Sequence, residues 1–171
     1  MKKFSILILG LILAVSLTSC KTLTGTKVPD LDVPFTANID VESEGLEFNA
    51  DIKRLGNALW EMEITSLPLQ GMKITYTDEG ITSVYNGFET ITPIEEILPG
   101  NVFMQIFSAF DTAAATENPV LKERDGDIVF YGEIPASSFE ILIDKESTAL
   151  EELIFPESGI EIEINNIITK I

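Results

Sequence analysis

The sequence contains no histidine and only one cysteine, Cys20, among 171 residues. Without histidine, a Ser/His/Asp or Cys/His catalytic centre is excluded. A single cysteine has no partner for a disulfide within the chain, and a zinc site would lack its usual ligands. Basic residues are also scarce. The chain has 11 of them and 28 acidic residues, which gives a net charge of −17. A surface of this charge repels nucleic acid, so we expect no nucleic-acid partner.

Other sites of known chemistry are missing too. The glycines occur singly in turns, which excludes a phosphate-binding loop. The segment Asp125-Gly126-Asp127 lacks the further oxygen ligands of a calcium loop, and we interpret it as a turn. Paired acids such as Glu161 and Glu163 would suit a glycosidase, but they lie on the polar face of a predicted strand among many other acids. We therefore predict a non-enzymatic protein with no catalytic residue, metal or cofactor, and keep a carboxylate hydrolase as a remote alternative.

The amino-terminal segment has the layout of an export signal. Lys2 and Lys3 precede the run from Phe4 to Leu17, which is apolar apart from three small residues. This run is shorter than the roughly 20 apolar residues of a membrane-spanning helix. At its end, a branched apolar residue, two small residues and a cysteine resemble the bacterial lipobox. These four residues are Leu17, Thr18, Ser19 and Cys20.

The lipobox resemblance implies that signal peptidase II cleaves before Cys20 and that the thiol carries diacylglycerol. Such an anchor is stable, because each buried methylene of its acyl chains adds roughly 0.8 kcal/mol. We predict a cleaved signal at residues 1–19, the lipidated cysteine with a flexible tether at residues 20–33, and one β-rich domain at residues 34–171. The protein would be exported and held by its lipid at the extracytoplasmic face of the cell membrane. An ordinary secretory signal with a chance cysteine, or an uncleaved hydrophobic helix, is the alternative.

From Phe35 onward, short segments alternate apolar and polar residues and are separated by turns that contain glycine. Phe35 to Val41 and Leu46 to Ile52 are the first two such segments, and the last reaches Ile164. Alternation of this kind predicts antiparallel strands with one buried and one solvated face, and we count roughly nine of them.

The alternation stops between Thr92 and Asn118, where apolar residues recur at helical spacing. Asn101 is a suitable N-cap for a helix that begins after it. This helix is too apolar for a surface position, so we place it against the concave apolar face of the sheet. Aromatic and methionine side chains should then converge between sheet and helix. The residues of this candidate pocket are Trp60, Met62, Met72, Tyr76, Phe103, Ile106, Phe107 and Phe110.

Four stretches of the chain resemble LolA-like lipoproteins, in particular a group of small lipoproteins from Gram-positive bacteria. They are Leu17 to Cys20, Pro34 to Ala37, Trp60 to Tyr76 and Phe107 to Ala115. The resemblance implies an α+β fold of mostly antiparallel strands, an unclosed β-barrel or highly curved sheet packed over a central apolar helix. It also implies that the hollow between sheet and helix holds acyl chains, as it does in better-known relatives.

Two functions remain open. The first is a monomeric carrier that binds a hydrophobic ligand, such as a lipid or acyl chain, in an incompletely filled hollow. Methionine and phenylalanine suit a deformable pocket of that kind. The second is an envelope protein with a filled core, which engages a partner through its acidic face or a strand edge. In both, the diacylglyceryl group on Cys20 would attach the protein to the membrane.

Overall fold

The computed structural model describes residues 29–169. The predicted signal, the lipobox with Cys20 and most of the predicted tether lie outside these residues. The described part contains one α-helix, α1 (Val102–Ala115), which follows a 3₁₀ turn at Ile94–Glu96. Its eleven strands are β1 (Phe35–Ser43), β2 (Leu46–Gly56), β3 (Leu59–Ile64), β4 (Lys73–Thr77), β5 (Gly80–Tyr85), β6 (Phe88–Pro93), β7 (Val120–Arg124), β8 (Asp127–Ile134), β9 (Ser137–Ile143), β10 (Leu150–Phe155) and β11 (Ile160–Thr169).

All eleven strands form one antiparallel sheet, in the order β6-β5-β4-β3-β2-β1-β11-β10-β9-β8-β7. Two meanders, β1 to β6 and β7 to β11, meet where β1 pairs with β11. The helix connects the outermost strands β6 and β7, which are not paired with each other, so the sheet is unclosed. The predicted fold class is therefore confirmed in the described part: a mostly antiparallel sheet with one apolar helix packed on it.

The count of roughly nine strands was too low, and β6 is a strand that the pattern missed. Asn86 and Gly87 form the turn between β5 and β6, with φ angles of 51° and 81°. Both central residues of a type I′ hairpin need positive φ angles, and Asn-Gly adopts them readily. The dipeptide was thus a usable signal. The strand itself shows no buried alternation, because Phe88 to Ile91 are all exposed.

One face of the sheet is apolar because the strands keep their two-residue period. In β1, Phe35, Ala37, Ile39 and Val41 are buried, while the residues between them are partly or fully exposed. The same alternation in β2, β3 and β9 extends the apolar face across the sheet. A slip of one residue would turn every buried side chain to water, so the pairing register is strongly specified.

The helix begins where the sequence predicts. The Asn101 Oδ1 atom accepts the backbone N–H groups of Phe103 and Met104, both at 3.1 Å. This N-cap satisfies two donors that the first helical turn leaves without a partner. Within residues 29–169, no helix has the length and hydropathy that a membrane crossing requires. The buried apolar residues of α1 are Ile106, Phe107, Ala109, Phe110 and Ala113.

Residues just before β1 contact the folded domain. Leu31 is 7% exposed and belongs to the core. The backbone carbonyl of Asp32 accepts a hydrogen bond from the Arg54 guanidinium at 2.9 Å. The last residues of the predicted tether therefore pack on the domain, because a buried leucine and a hydrogen-bonded carbonyl hold them there.

Candidate functional site

The predicted pocket residues come together between the sheet and α1, but five of them leave no open space. Trp60, Met62, Ile106, Phe107 and Phe110 are between 0% and 2% exposed. The ring centroid of Trp60 lies 5.3 Å from that of Phe107 and 5.6 Å from that of Phe110. Bulky side chains from both the helix and the sheet fill this part of the hollow. These five residues therefore belong to the hydrophobic core.

The other three predicted pocket residues lie at the margin of this core. The ring of Tyr76 stacks on Phe107 with the centroids 5.6 Å apart. Burial raises the pKa of the Tyr76 hydroxyl, and the negative charge of Asp111 adds to the rise. Met72 and Phe103 are partly buried, and both line a groove that is open to solvent.

This open groove has a volume of about 620 Å³ and lies beside the filled core. The inner faces of β4 and β5 and the end of β6 form one side, and the segment leading into α1 forms the other. Its size falls in the range of small-molecule pockets, and its lining is mainly apolar. The lining residues are Met72, Ile74, Ile81, Ser83, Thr92, Glu96, Ile97, Leu98, Gly100, Asn101 and Phe103.

The groove exists because the sheet is wider than the helix. The aromatic rings of α1 make their ring contacts with β1, β2, β3 and β4. On β5 and β6 the inner-facing Ser83 and Thr92 are only partly buried. These side chains are too small to fill the space above Ile74 and Ile81, which form the apolar floor.

A second, smaller groove of about 190 Å³ lies on the other side of the segment 94–99. Met104 of α1 and Ile134 of β8 contribute to its walls. Ile97 and Leu98 line both grooves, and Leu98 is 76% exposed. The segment 94–99 is therefore a narrow ridge between two apolar depressions.

Several of the groove residues were not among the predicted pocket residues. Ile81 and Ser83 belong to a strand that the alternation predicts correctly, but the pattern does not tell which part of the sheet the helix covers. Ile97 and Leu98 lie in the short segment without regular structure between the 3₁₀ turn and the helix. Their signal was the presence of large apolar residues in a connecting segment, where polar residues are usual.

A charged network joins β2, α1 and the residues just before β1. Arg54 is 1% exposed, and its Nε atom donates to Asp111 Oδ1 at 3.1 Å while Nη1 donates to the Asp32 carbonyl at 2.9 Å. Asp111 Oδ2 accepts from Trp60 Nε1 at 3.1 Å and from the Ala58 N–H at 3.0 Å. The buried cation is thus paired and hydrogen-bonded, and the network fixes α1 on the sheet.

The polar face of the sheet carries an acidic depression, which includes the paired acids noted in the sequence. Burial raises the pKa of the Glu152 carboxyl, and the negative charge of Glu161 adds to the rise. Glu161 and Glu163 are exposed, as expected for the solvated face of a strand. Among residues 29–169, no group of three or more potential ligands is placed to hold a metal ion. The depression is lined by Asp40, Val41, Glu42, Glu47, Phe48, Asn49, Glu152, Glu161 and Glu163.

Among solved structures, the chain is similar to a LolA superfamily protein of Nitrosomonas europaea. The two chains align with a TM-score of 0.42 and 9% sequence identity, over 85% of this chain and 89% of the other. No protein-family model matches the chain. No curated protein matches it either. Its function is therefore inferred from the groove itself.

Proposed function

We propose that the domain binds a hydrophobic ligand, such as an acyl chain, in the groove between β4–β6 and the segment from Glu96 to Phe103. The observation that carries the proposal is an open, mainly apolar groove of ligand size beside a core that is already filled. A ligand that covers this lining removes apolar surface from water, which stabilises the complex by about 25 cal/mol per Å².

The rim of the groove supports this function. Leu98 is 76% exposed and stands at the opening, although a large apolar side chain gains nothing from contact with water. Large apolar residues that gather around a cleft mark ligand-binding grooves more often than single, scattered ones do. Met72 and Phe103 add side chains that can adapt their shape to a flexible chain.

A phenylalanine in place of Ser83 is expected to weaken ligand binding at least about tenfold, which corresponds to about 1.4 kcal/mol. Ser83 lies on the groove face of β5, so the larger ring would occupy the space of the ligand. The measurement is a fluorescence titration with the uncharged apolar probe N-phenylnaphthylamine, on the chain from Lys21 onward.

Thr82→Phe is the matched control for this variant. Thr82 is the neighbouring residue on the same strand, and it pairs with Thr75 on the opposite face of the sheet. This variant should bind the probe as the parent chain does. Equal probe affinity for folded Ser83→Phe and Thr82→Phe would contradict the placement of the ligand, and no probe binding by the parent chain would contradict the function.

We further propose that diacylglyceryl-Cys20 anchors the domain at the extracytoplasmic face of the cell membrane. The lipobox pattern at Leu17 to Cys20 supports this, together with the apolar run that precedes it. Because residues beyond the anchor connect it to a domain that begins by Leu31, the groove would work within a short distance of the bilayer.

Cys20→Ser is expected to abolish lipid attachment and cleavage by signal peptidase II, since serine offers no thiol for the thioether bond. Palmitate labelling and membrane fractionation of the full-length chain measure both effects. Ser19→Ala keeps a small residue before the cysteine and should be processed normally. Normal labelling and processing of Cys20→Ser would rule out this anchor.

A second function is favoured by the free edge of the sheet. β6 pairs with β5 across a two-residue turn, with Tyr85 opposite Phe88 and Ser83 opposite Thr90. The backbone groups of Glu89 and Ile91 therefore point away from the sheet, where an extended partner segment could pair with them. An envelope protein bound at this edge becomes the leading candidate if the groove takes no apolar probe.

A further inference from the structure

The charges around the groove restrict the polar end of its ligand. We propose that the groove takes an amphiphile whose polar end is positively charged. The inference rests on the proposed function, because it concerns the group that accompanies the apolar chain in the same groove. It goes further in that it names the chemical class of the ligand.

The lining of the groove holds one charged side chain, and that side chain is acidic. Glu96 lies in the 3₁₀ turn at the rim, where it is exposed and forms no ion pair with any residue that the structure describes. The other polar lining residues, Ser83, Thr92 and Asn101, are neutral. A cationic end group would find a carboxylate at the rim, and an anionic one would meet repulsion.

The basic residues elsewhere in the described part are already engaged. Residues 29–169 contain all 28 acidic residues of the chain but only six of its 11 basic residues. Five of these six form ion pairs with acids, at N···O distances from 2.7 to 3.6 Å. The sixth, Lys122, lies 4.7 Å from the ring centroid of Tyr131. To pair with a basic residue of the described part, an anionic head group would have to compete with one of these contacts.

The amino terminus of α1 also faces the groove. A helix N-terminus carries partial positive charge, so by itself it would favour an anionic end group. Here, however, two of its first donors are occupied. The N–H groups of Phe103 and Met104 both donate to the Asn101 side chain. A full negative charge on Glu96 therefore outweighs the remaining partial charge at this end of the groove.

The experiment compares three amphiphiles that share a dodecyl chain and differ only in the end group. Dodecyltrimethylammonium is cationic, dodecyl maltoside is neutral, and tridecanoate, whose carboxylate is attached to a dodecyl chain, is anionic. Each is used below its micelle-forming concentration to displace N-phenylnaphthylamine from the chain from Lys21 onward. We expect the cationic compound to bind about tenfold more tightly than the anionic one at low salt, with the difference shrinking as salt is added.

Glu96→Gln tests whether a preference for the cationic compound comes from the carboxylate at the groove or from the negative charge of the whole protein. An exposed ion pair contributes up to about 1 kcal/mol, so this variant should lose about two- to fivefold of its affinity for dodecyltrimethylammonium and keep its affinity for dodecyl maltoside. Glu117→Gln removes an equal charge from an exposed position just beyond the other end of α1 and should change neither value.

Each outcome decides between the two proposals. Equal binding of all three compounds, or an equal loss in Glu96→Gln and Glu117→Gln, would overturn the inference about the end group and leave the apolar groove standing. Failure of all three compounds, and of the probe itself, to bind would contradict the proposed function.

Discussion

Asp111→Ala is expected to lower the free energy of unfolding by about 3–5 kcal/mol, although Asp111 lies outside the groove. Arg54 is 1% exposed, and its guanidinium would lose the carboxylate that lies 3.1 Å from Nε. Trp60 Nε1 and the Ala58 N–H would lose their acceptor in the same step. The buried guanidinium would keep only the exposed Asp32 carboxylate, 3.6 Å from Nη2, as its counter-charge. Removing the closer partner of a buried pair costs more than the intact pair contributes. Urea unfolding, followed by the fluorescence of the single tryptophan, measures the change.

Two further variants test this explanation of the Asp111→Ala effect. Glu117→Ala removes an exposed acid next to the same helix and should change the free energy of unfolding by less than about 0.5 kcal/mol. Arg54→Met combined with Asp111→Leu replaces both charges with apolar groups and should recover part of the loss. If Asp111→Ala costs no more than Glu117→Ala, the ion pair does not hold α1 on the sheet.

The parts of the fold that depend on neighbouring residues were predictable from the sequence. The alternation from Phe35 to Val41 gives the strand, its direction of burial and its polar face, because successive side chains of a strand point to opposite faces. Asn101 gives the start of the helix, because its side chain acts only two and three residues along the chain. Both features can be predicted without knowing which residues lie on the other side of the core.

The parts that depend on distant residues could not be predicted in the same way. Arg54 follows Ala50 and Ile52 on the buried face of β2, so the alternation marks it as an unusual charge in a core position. The pattern does not tell that Asp111, 57 residues away, supplies the partner. The position of the groove could not be predicted for the same reason. It depends on how far α1 reaches across the sheet, and no local sequence pattern indicates that distance.

The second large effect on stability is expected from a substitution in the filled core. Phe107→Ala is expected to lower the free energy of unfolding by about 3–5 kcal/mol, as do other truncations of fully buried aromatic residues. Phe107 is 0% exposed, and its ring packs between those of Trp60 and Tyr76, at centroid distances of 5.3 and 5.6 Å. The folded variant should not lose affinity for N-phenylnaphthylamine, because Phe107 does not line the groove. Urea unfolding and probe titration on the same sample measure both quantities.

Phe103→Ala is the informative comparison, since Phe103 lies one helical turn earlier and lines the groove. Its side chain is only partly buried, so truncation should cost about 1–2 kcal/mol of stability. Probe affinity should fall about tenfold, because the ligand loses an aromatic contact. The two variants should therefore separate stability from binding. A Phe107→Ala protein that keeps its stability but no longer binds the probe would contradict the filled core and place the ligand between the sheet and the middle of the helix.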